Sequence, residues 1–200
     1  MVELSRIKGL ILASASPRRM ELLRQAGWRF TVVAPPMPEP EELAAGLSPS
    51  QVAESLAYFK ARAVLDMGAE GPVLGADTVV SIGGEILGKP ADEADAKRML
   101  GRLSGTRHEV ITGVAVLWRA GGGRRIASER TYVTMRRITR QELDAYIAGG
   151  EWIGKAGAYA LQETADRFVE RIEGSFSNVV GLPLELVRRL LGEPREPGRQ

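Results

Sequence analysis

Residues 9–19, GLILASASPRR, limit the fold more than any other segment, because they read as a buried strand that turns directly into a helix. Leu10, Ile11 and Leu12 form a short apolar run, Ser14 and Ser16 suit a turn or an N-cap, and Pro17 suits the first helical position. A helix beginning there leaves unpaired backbone N–H groups and the positive end of its dipole facing the turn. Arg18 and Arg19 add two guanidinium groups able to grip oxyanions bidentately. The segment therefore reads either as an anion pocket suited to phosphate or as an ordinary helix start with two solvated arginines.

Strand and helix signals alternate along the rest of the chain, as a mixed α/β fold requires. Helices are predicted over 17–26, 50–67, 91–103, 139–148 and 184–191, the second carrying Val52, Leu56, Phe59 and Ala63 on one side. Strands are predicted over 28–33, 73–76, 108–117 and 125–135, with a hairpin over 81–87 around Gly83 and Gly84. The Pro- and Glu-rich stretch 35–47 reads as a loop able to move. The pattern gives one unit over 1–193, with a candidate second lobe around 106–138, and a polar tail over 194–200.

Composition removes several function classes. Lysine and arginine total 27 against 25 aspartate and glutamate, so no basic tract of the kind that coats nucleic acid is present, and stable nucleic-acid binding is not expected. The chain has no cysteine, which removes disulfides and thiolate chemistry and fits a reducing compartment. No apolar run approaches the roughly 20 residues that span a bilayer, and the N-terminus lacks a signal-peptide pattern. A cytoplasmic protein without a membrane partner is expected. His108 is the only histidine, so a histidine-rich zinc site is excluded, and the residue reads as a strand start rather than a catalyst.

A second chemical cluster is LGADTVV, residues 74–80, where Asp77 follows a run suited to a buried strand. Ligands of open α/β sheets collect beyond the carboxyl ends of strands, so Asp77 and Thr78 would share a crevice with the SASPRR turn if the two strands are neighbours. A carboxylate beside a phosphate site suits a divalent cation between them, or a base acting on water. The alternative is a turn cap or a lysine partner. Lys60 within the second helix and Lys89 at a Gly-Lys-Pro corner are candidate phosphate contacts, or else surface charges. Glu39 between Pro38 and Pro40 is a candidate metal ligand shared with Asp77, or else part of a plain acidic loop.

The segments ASASPRR, GADTVV, GKP, LSGTRHEVITGVAV, KAGAYALQ and GSFSNVVGLPLE, in this order over almost the whole chain, resemble the Maf family of nucleoside triphosphate pyrophosphatases. The resemblance implies a Maf-like, ITPase-like α/β fold: a mixed sheet with flanking helices and two lobes around a nucleotide cleft, as a homodimer. It also implies hydrolysis of a nucleoside triphosphate to the monophosphate and pyrophosphate with a divalent cation, Mg²⁺ or Mn²⁺. On this match Asp77 is the proton acceptor, while Ser14, Arg18, Arg19, Glu39, Lys60 and Lys89 fall on positions that the family uses for phosphates or metal.

The family divides by substrate, and Arg18, Thr78 and Gln162 resemble the dTTP/UTP pyrophosphatases at three informative positions. Members preferring 7-methyl-GTP carry Trp, Gln and Glu there. The amide of Gln162 offers a donor and an acceptor to the O4/N3–H edge of uracil or thymine, whereas a Glu would only accept. The chain departs from many pyrimidine-type members at Glu163, Thr164 and Ala165, where those have Gly-rich sequence. Two rival readings are a pyrophosphatase for another modified nucleotide and a non-enzymatic regulator of septum formation. The second has no need of an acidic residue beside a double-arginine turn.

Overall fold

The computed structural model describes residues 8–36, 46–162 and 164–193. Strand β1 (Leu10–Ala13) is buried throughout and leads through residues 14–16 into helix α1 (Pro17–Gln25). Gly27, in the left-handed region at φ 84°, turns the chain into strand β2 (Phe30–Val32), which lies parallel to β1. Helix α2 (Pro49–Asp66) starts at a capping box: the Ser48 hydroxyl accepts from the Gln51 N–H, and the Gln51 side chain accepts from the Ser48 N–H.

Strand β3 (Val73–Ile82) follows, forming a two-residue hairpin with β4 (Glu85–Leu87) across Gly83 and Gly84, both at positive φ. Helix α3 (Glu93–Leu103) is capped by Asp92. The long strands β5 (Arg107–Leu117) and β6 (Arg124–Met135) pair antiparallel along their lengths. Helix α4 (Arg140–Ala148) begins at a second capping box, from Thr139 and Glu142. The chain ends through strand β7 (Val169–Glu173) and helices α5 (Phe176–Val180) and α6 (Leu184–Leu191).

The seven strands form one mixed sheet in the order β2-β1-β3-β5-β6-β7, with β4 also on β3. Residues 106–138 thus continue the same sheet. Helix α2 covers one face, burying Ala57, Ala61 and Val64 against Ile11, Val73 and Ala115. The opposite face carries the larger core, where Leu12, Leu74 and Val114 meet side chains of α1, α3, α4, α5 and α6.

Four elements differ from the sequence expectations. Strand β3 does not stop at Ala76, because β5 pairs with it from Val73 through Ser81 and the ladder carries the chain past Asp77. Helix α2 buries Leu56 as expected, but together with Ala53, Ala57 and Ala61, whereas Val52, Phe59 and Ala63 stay partly exposed. The reason is close approach: a Cβ on Gly75 would lie 2.3 Å from the Ala57 carbonyl oxygen, and one on Gly113 would lie 2.3 Å from that of Ala53. Only a small-residue stripe fits against those glycines. Strand β7 and helix α5 carry no clear sequence signal, the first being a polar edge strand and the second a single short turn.

Candidate active site

One edge of β3 is shared by two partners. Strand β1 pairs with it as far as Ala13 opposite Gly75, and β4 begins at Leu87 opposite Val80. Between them residues 76–79 have no strand on that side, because the chain after Ala13 leaves the sheet to form α1. The predicted neighbourhood of the two strands is therefore present, and the opening lies at the carboxyl end of β1. A cavity of about 530 Å³ occupies it, and Ser14, Ser16, Arg18 and Arg19 of the turn line it together with Asp77 and Thr78 of the strand.

Asp77 and Thr78 leave β3 on opposite faces, as successive strand residues must, and the cavity reaches both because it wraps around the open edge. On the α2 face, the Lys60 ammonium donates to Asp77 Oδ1, with the two side chains only 11% and 9% exposed. This buried ion pair fixes the carboxylate in the cavity wall. On the other face, Thr78 meets Arg19, whose Nη2–H donates to Thr78 Oγ1 at 3.1 Å while its Nε–H donates to the Gly181 carbonyl at 2.8 Å.

The turn presents backbone as well as charge. Ser14 is buried, and its hydroxyl accepts from the Ser16 N–H at 3.1 Å, which closes the turn. Ser16 is the N-cap of α1 and its side chain makes no cap hydrogen bond, and the positive end of the helix dipole lies beside the cavity. Lys89 lines the cavity from the Gly-Lys-Pro corner, and Lys155 does so from the KAGAY segment. These two loops are joined by the Gly157 N–H, which donates to the Gly88 carbonyl at 3.0 Å.

The described lining thus holds five cationic side chains, Arg18, Arg19, Lys60, Lys89 and Lys155, and one carboxylate, Asp77. Burial acts on two of these cations. Burial pulls the Arg18 guanidinium below its usual range. Burial and then the nearby Arg18 charge pull the Lys155 ammonium down. An anion of high charge relieves both effects. Val80, Val110, Tyr159 and Val179 give the wall its apolar part.

The sequence reading brought Ser14, Arg18, Arg19, Lys60, Asp77, Thr78 and Lys89 to one place, and all seven line the cavity. Gln162 does not: it is exposed, at φ 71°, two residues beyond Ala160 of the wall, and its N–H donates to Asp166 Oδ1 at 2.9 Å. Glu39 and Glu163 lie outside the described residues. Two features escaped the sequence reading. Lys155 stands in a quoted motif, but nothing local tells which way it faces. Tyr159 lines the cavity and shares a 2.6 Å hydrogen bond with Nε2 of the buried His108, so the lone histidine supports the wall from behind.

A family model described as Maf-like protein matches residues 9–194. The chain belongs to the Maf family. Among curated Maf relatives, a protein of Pelotomaculum thermopropionicum is 44% identical over 185 residues, covering 92% of this chain and 96% of that protein. One of Symbiobacterium thermophilum is 47% identical over 182 residues, covering 91% and 92%. One of Geobacter sulfurreducens is 50% identical over 175 residues, covering 88% and 91%. All three are named dTTP/UTP pyrophosphatase. Every cavity-lining segment of this Maf protein falls inside the matched region. Among the described residues no helix is long and apolar enough to cross a membrane, and no group of three or more His, Asp and Glu side chains stands ready to hold a metal ion.

Proposed function

We propose that this Maf protein hydrolyses dTTP and UTP to the monophosphate and pyrophosphate, by attack of water on the α-phosphorus with Asp77 as proton acceptor. The observation that carries the proposal is the Asp77–Lys60 pair set in the wall of a cavity otherwise ringed by cations. A triphosphate chain fits that charge pattern. It lies along the uncapped start of α1, with Arg18, Arg19, Lys89 and Lys155 offsetting its charge. The base packs on the apolar side chains of Val80, Val110 and Tyr159. The relatives' names support the choice of pyrimidine nucleotides, as do Arg18, Thr78 and Gln162, with Gln162 reading the base edge from the rim.

In the reaction Asp77 takes a proton from water, the water oxygen bonds to the α-phosphorus, and the bond to the bridging oxygen breaks so that pyrophosphate leaves. Lys60 keeps the carboxylate in position. Positioning and charge stabilisation account for most of the rate in chemistry of this kind. The donor set fits a divalent cation, Mg²⁺ or Mn²⁺. Asp77 is a hard oxygen ligand, and such ions are commonly held by one or two carboxylates plus substrate phosphates. Asp77 and Glu39 would hold it. Bound there, the cation neutralises phosphate charge and stabilises the leaving group.

Asp77→Asn tests the assignment, since the amide keeps the shape and cannot accept the proton. Turnover of UTP is expected to fall by about 10²–10⁴-fold, while calorimetric affinity for a non-hydrolysable α,β-methylene analogue of UTP stays within a few-fold. Undiminished turnover in the folded variant would remove Asp77 from the role.

A further inference from the structure

We infer that Thr112, acting through Thr78, is a positioning residue that aims the Arg19 guanidinium at the phosphates of the substrate. Four hydrogen bonds carry the inference, and their direction is fixed by chemistry. Arg19 can only donate, so Thr78 Oγ1 accepts from Nη2–H at 3.1 Å. The Asn178 carbonyl can only accept, so Thr112 gives it its single hydroxyl proton, at 3.0 Å. The remaining contact, Thr78 Oγ1 to Thr112 Oγ1 at 2.9 Å, must therefore run from Thr78 to Thr112. A one-way chain results, from Arg19 through Thr78 and Thr112 to the backbone of α5. The second arm of the guanidinium reaches the same helix end, because Nε–H donates to the Gly181 carbonyl at 2.8 Å.

The far end of the chain is anchored in the core. Thr112, Asn178 and Thr131 are fully buried. The Asn178 amide donates to the Val110 carbonyl at 3.0 Å and to Thr131 Oγ1 at 2.9 Å, and the Thr131 hydroxyl donates to the Ser175 carbonyl at 3.1 Å. Strands β3, β5 and β6 and helix α5 thus hold one guanidinium at a set angle, and the SFSNV part of the GSFSNVVGLPLE segment serves this anchor. Arg19 has further partners, but its Nε and one Nη2 hydrogen are committed to this frame.

The chain also changes the meaning of Thr78. Its only hydroxyl proton goes to Thr112, so it has none to donate to a nucleobase carbonyl. Its influence on substrate choice passes through Arg19 and the α5 wall.

The inference rests on the proposed pyrophosphatase activity, so its test includes a ligand that needs no turnover. Thr112→Val keeps the shape and removes the hydroxyl, and Thr112→Ser restores it. Affinity for inorganic pyrophosphate by calorimetry is expected to weaken about tenfold in Thr112→Val, in keeping with loss of one charge-linked hydrogen bond, with a matching rise in KM for UTP. Thr112→Ser should return both to within about twofold of the wild type. Thr78→Val should equal Thr112→Val, and the double variant should be no weaker than either, since links of one chain are not additive. A Thr112→Val protein that melts earlier yet binds pyrophosphate like the wild type would overturn the inference. If Thr112→Val fails to fold, Thr78→Val decides by the same readouts. A wild type that binds pyrophosphate but turns over neither UTP nor dTTP would overturn the activity, and the binding comparison would still judge the chain.

Discussion

Single residues around the cavity are set by burial. His108 is held neutral by the core, its pKa pushed down to about 4 from an ordinary 6.5. Between those values the unfolded chain binds a proton that the folded protein refuses. Stability is therefore full above about pH 6.5, falls as the pH drops toward 4, and levels off below. Urea unfolding at pH 7 and pH 4.5 should show a loss about 2–3 kcal/mol larger in the wild type than in His108→Gln; equal losses would mean the imidazole pays nothing for burial. Lys155 follows the same logic, its ammonium weakened by burial and by Arg18. Lys155→Gln is expected to raise KM for UTP about tenfold, with a smaller change in kcat. In the wild type KM should climb with pH sooner than an ordinary lysine allows, since the depressed group loses its charge earlier. The variant should lack that limb.

At the scale of elements, the site depends on how closely α2 lies on β3. Lys60 reaches Asp77 only because the sheet presents glycine beneath the helix, at Gly75 and Gly113. A Cβ at Gly75 would also come within 2.9 Å of Ala61 Cβ. Gly75→Ala must lift the helix, at a cost of about 1–3 kcal/mol, and it should lower kcat by pulling the ammonium off the carboxylate. Thermal melting and steady-state kinetics on the same preparation check both; a variant with wild-type kcat would show that the pair tolerates a moved helix. The α1 turn was readable from its own residues, because the apolar run, the serines and Pro17 act locally. The buried stripe of α2 was not. Ala53, Ala57 and Ala61 carry little hydrophobic signal, and the glycines that select them lie on strands far along the chain. For the same reason the end of β3 was misplaced: its length is set by pairing with β5, not by the local run that ends at Ala76.

For the molecule as a whole, one break in a sheet edge gathers the chemistry. The parallel β1 and the antiparallel β4 divide the edge of β3, and residues widely spaced in sequence converge on the space between them. The resemblance to the Maf family was enough to foresee this convergence for Ser14, Arg18, Arg19, Lys60, Asp77, Thr78 and Lys89. It could not foresee Lys155, whose place depends on the contact between Gly157 and Gly88, nor the exposed position of Gln162. The central claim is that water attacks the α-phosphorus of dTTP and UTP in this opening. The direct measurement is hydrolysis of both nucleotides with Mg²⁺ in heavy-oxygen water, followed by mass analysis of the products. Attack at the α-phosphorus puts the label in the monophosphate and none in pyrophosphate. Label in pyrophosphate, or release of orthophosphate as the first product, would contradict it.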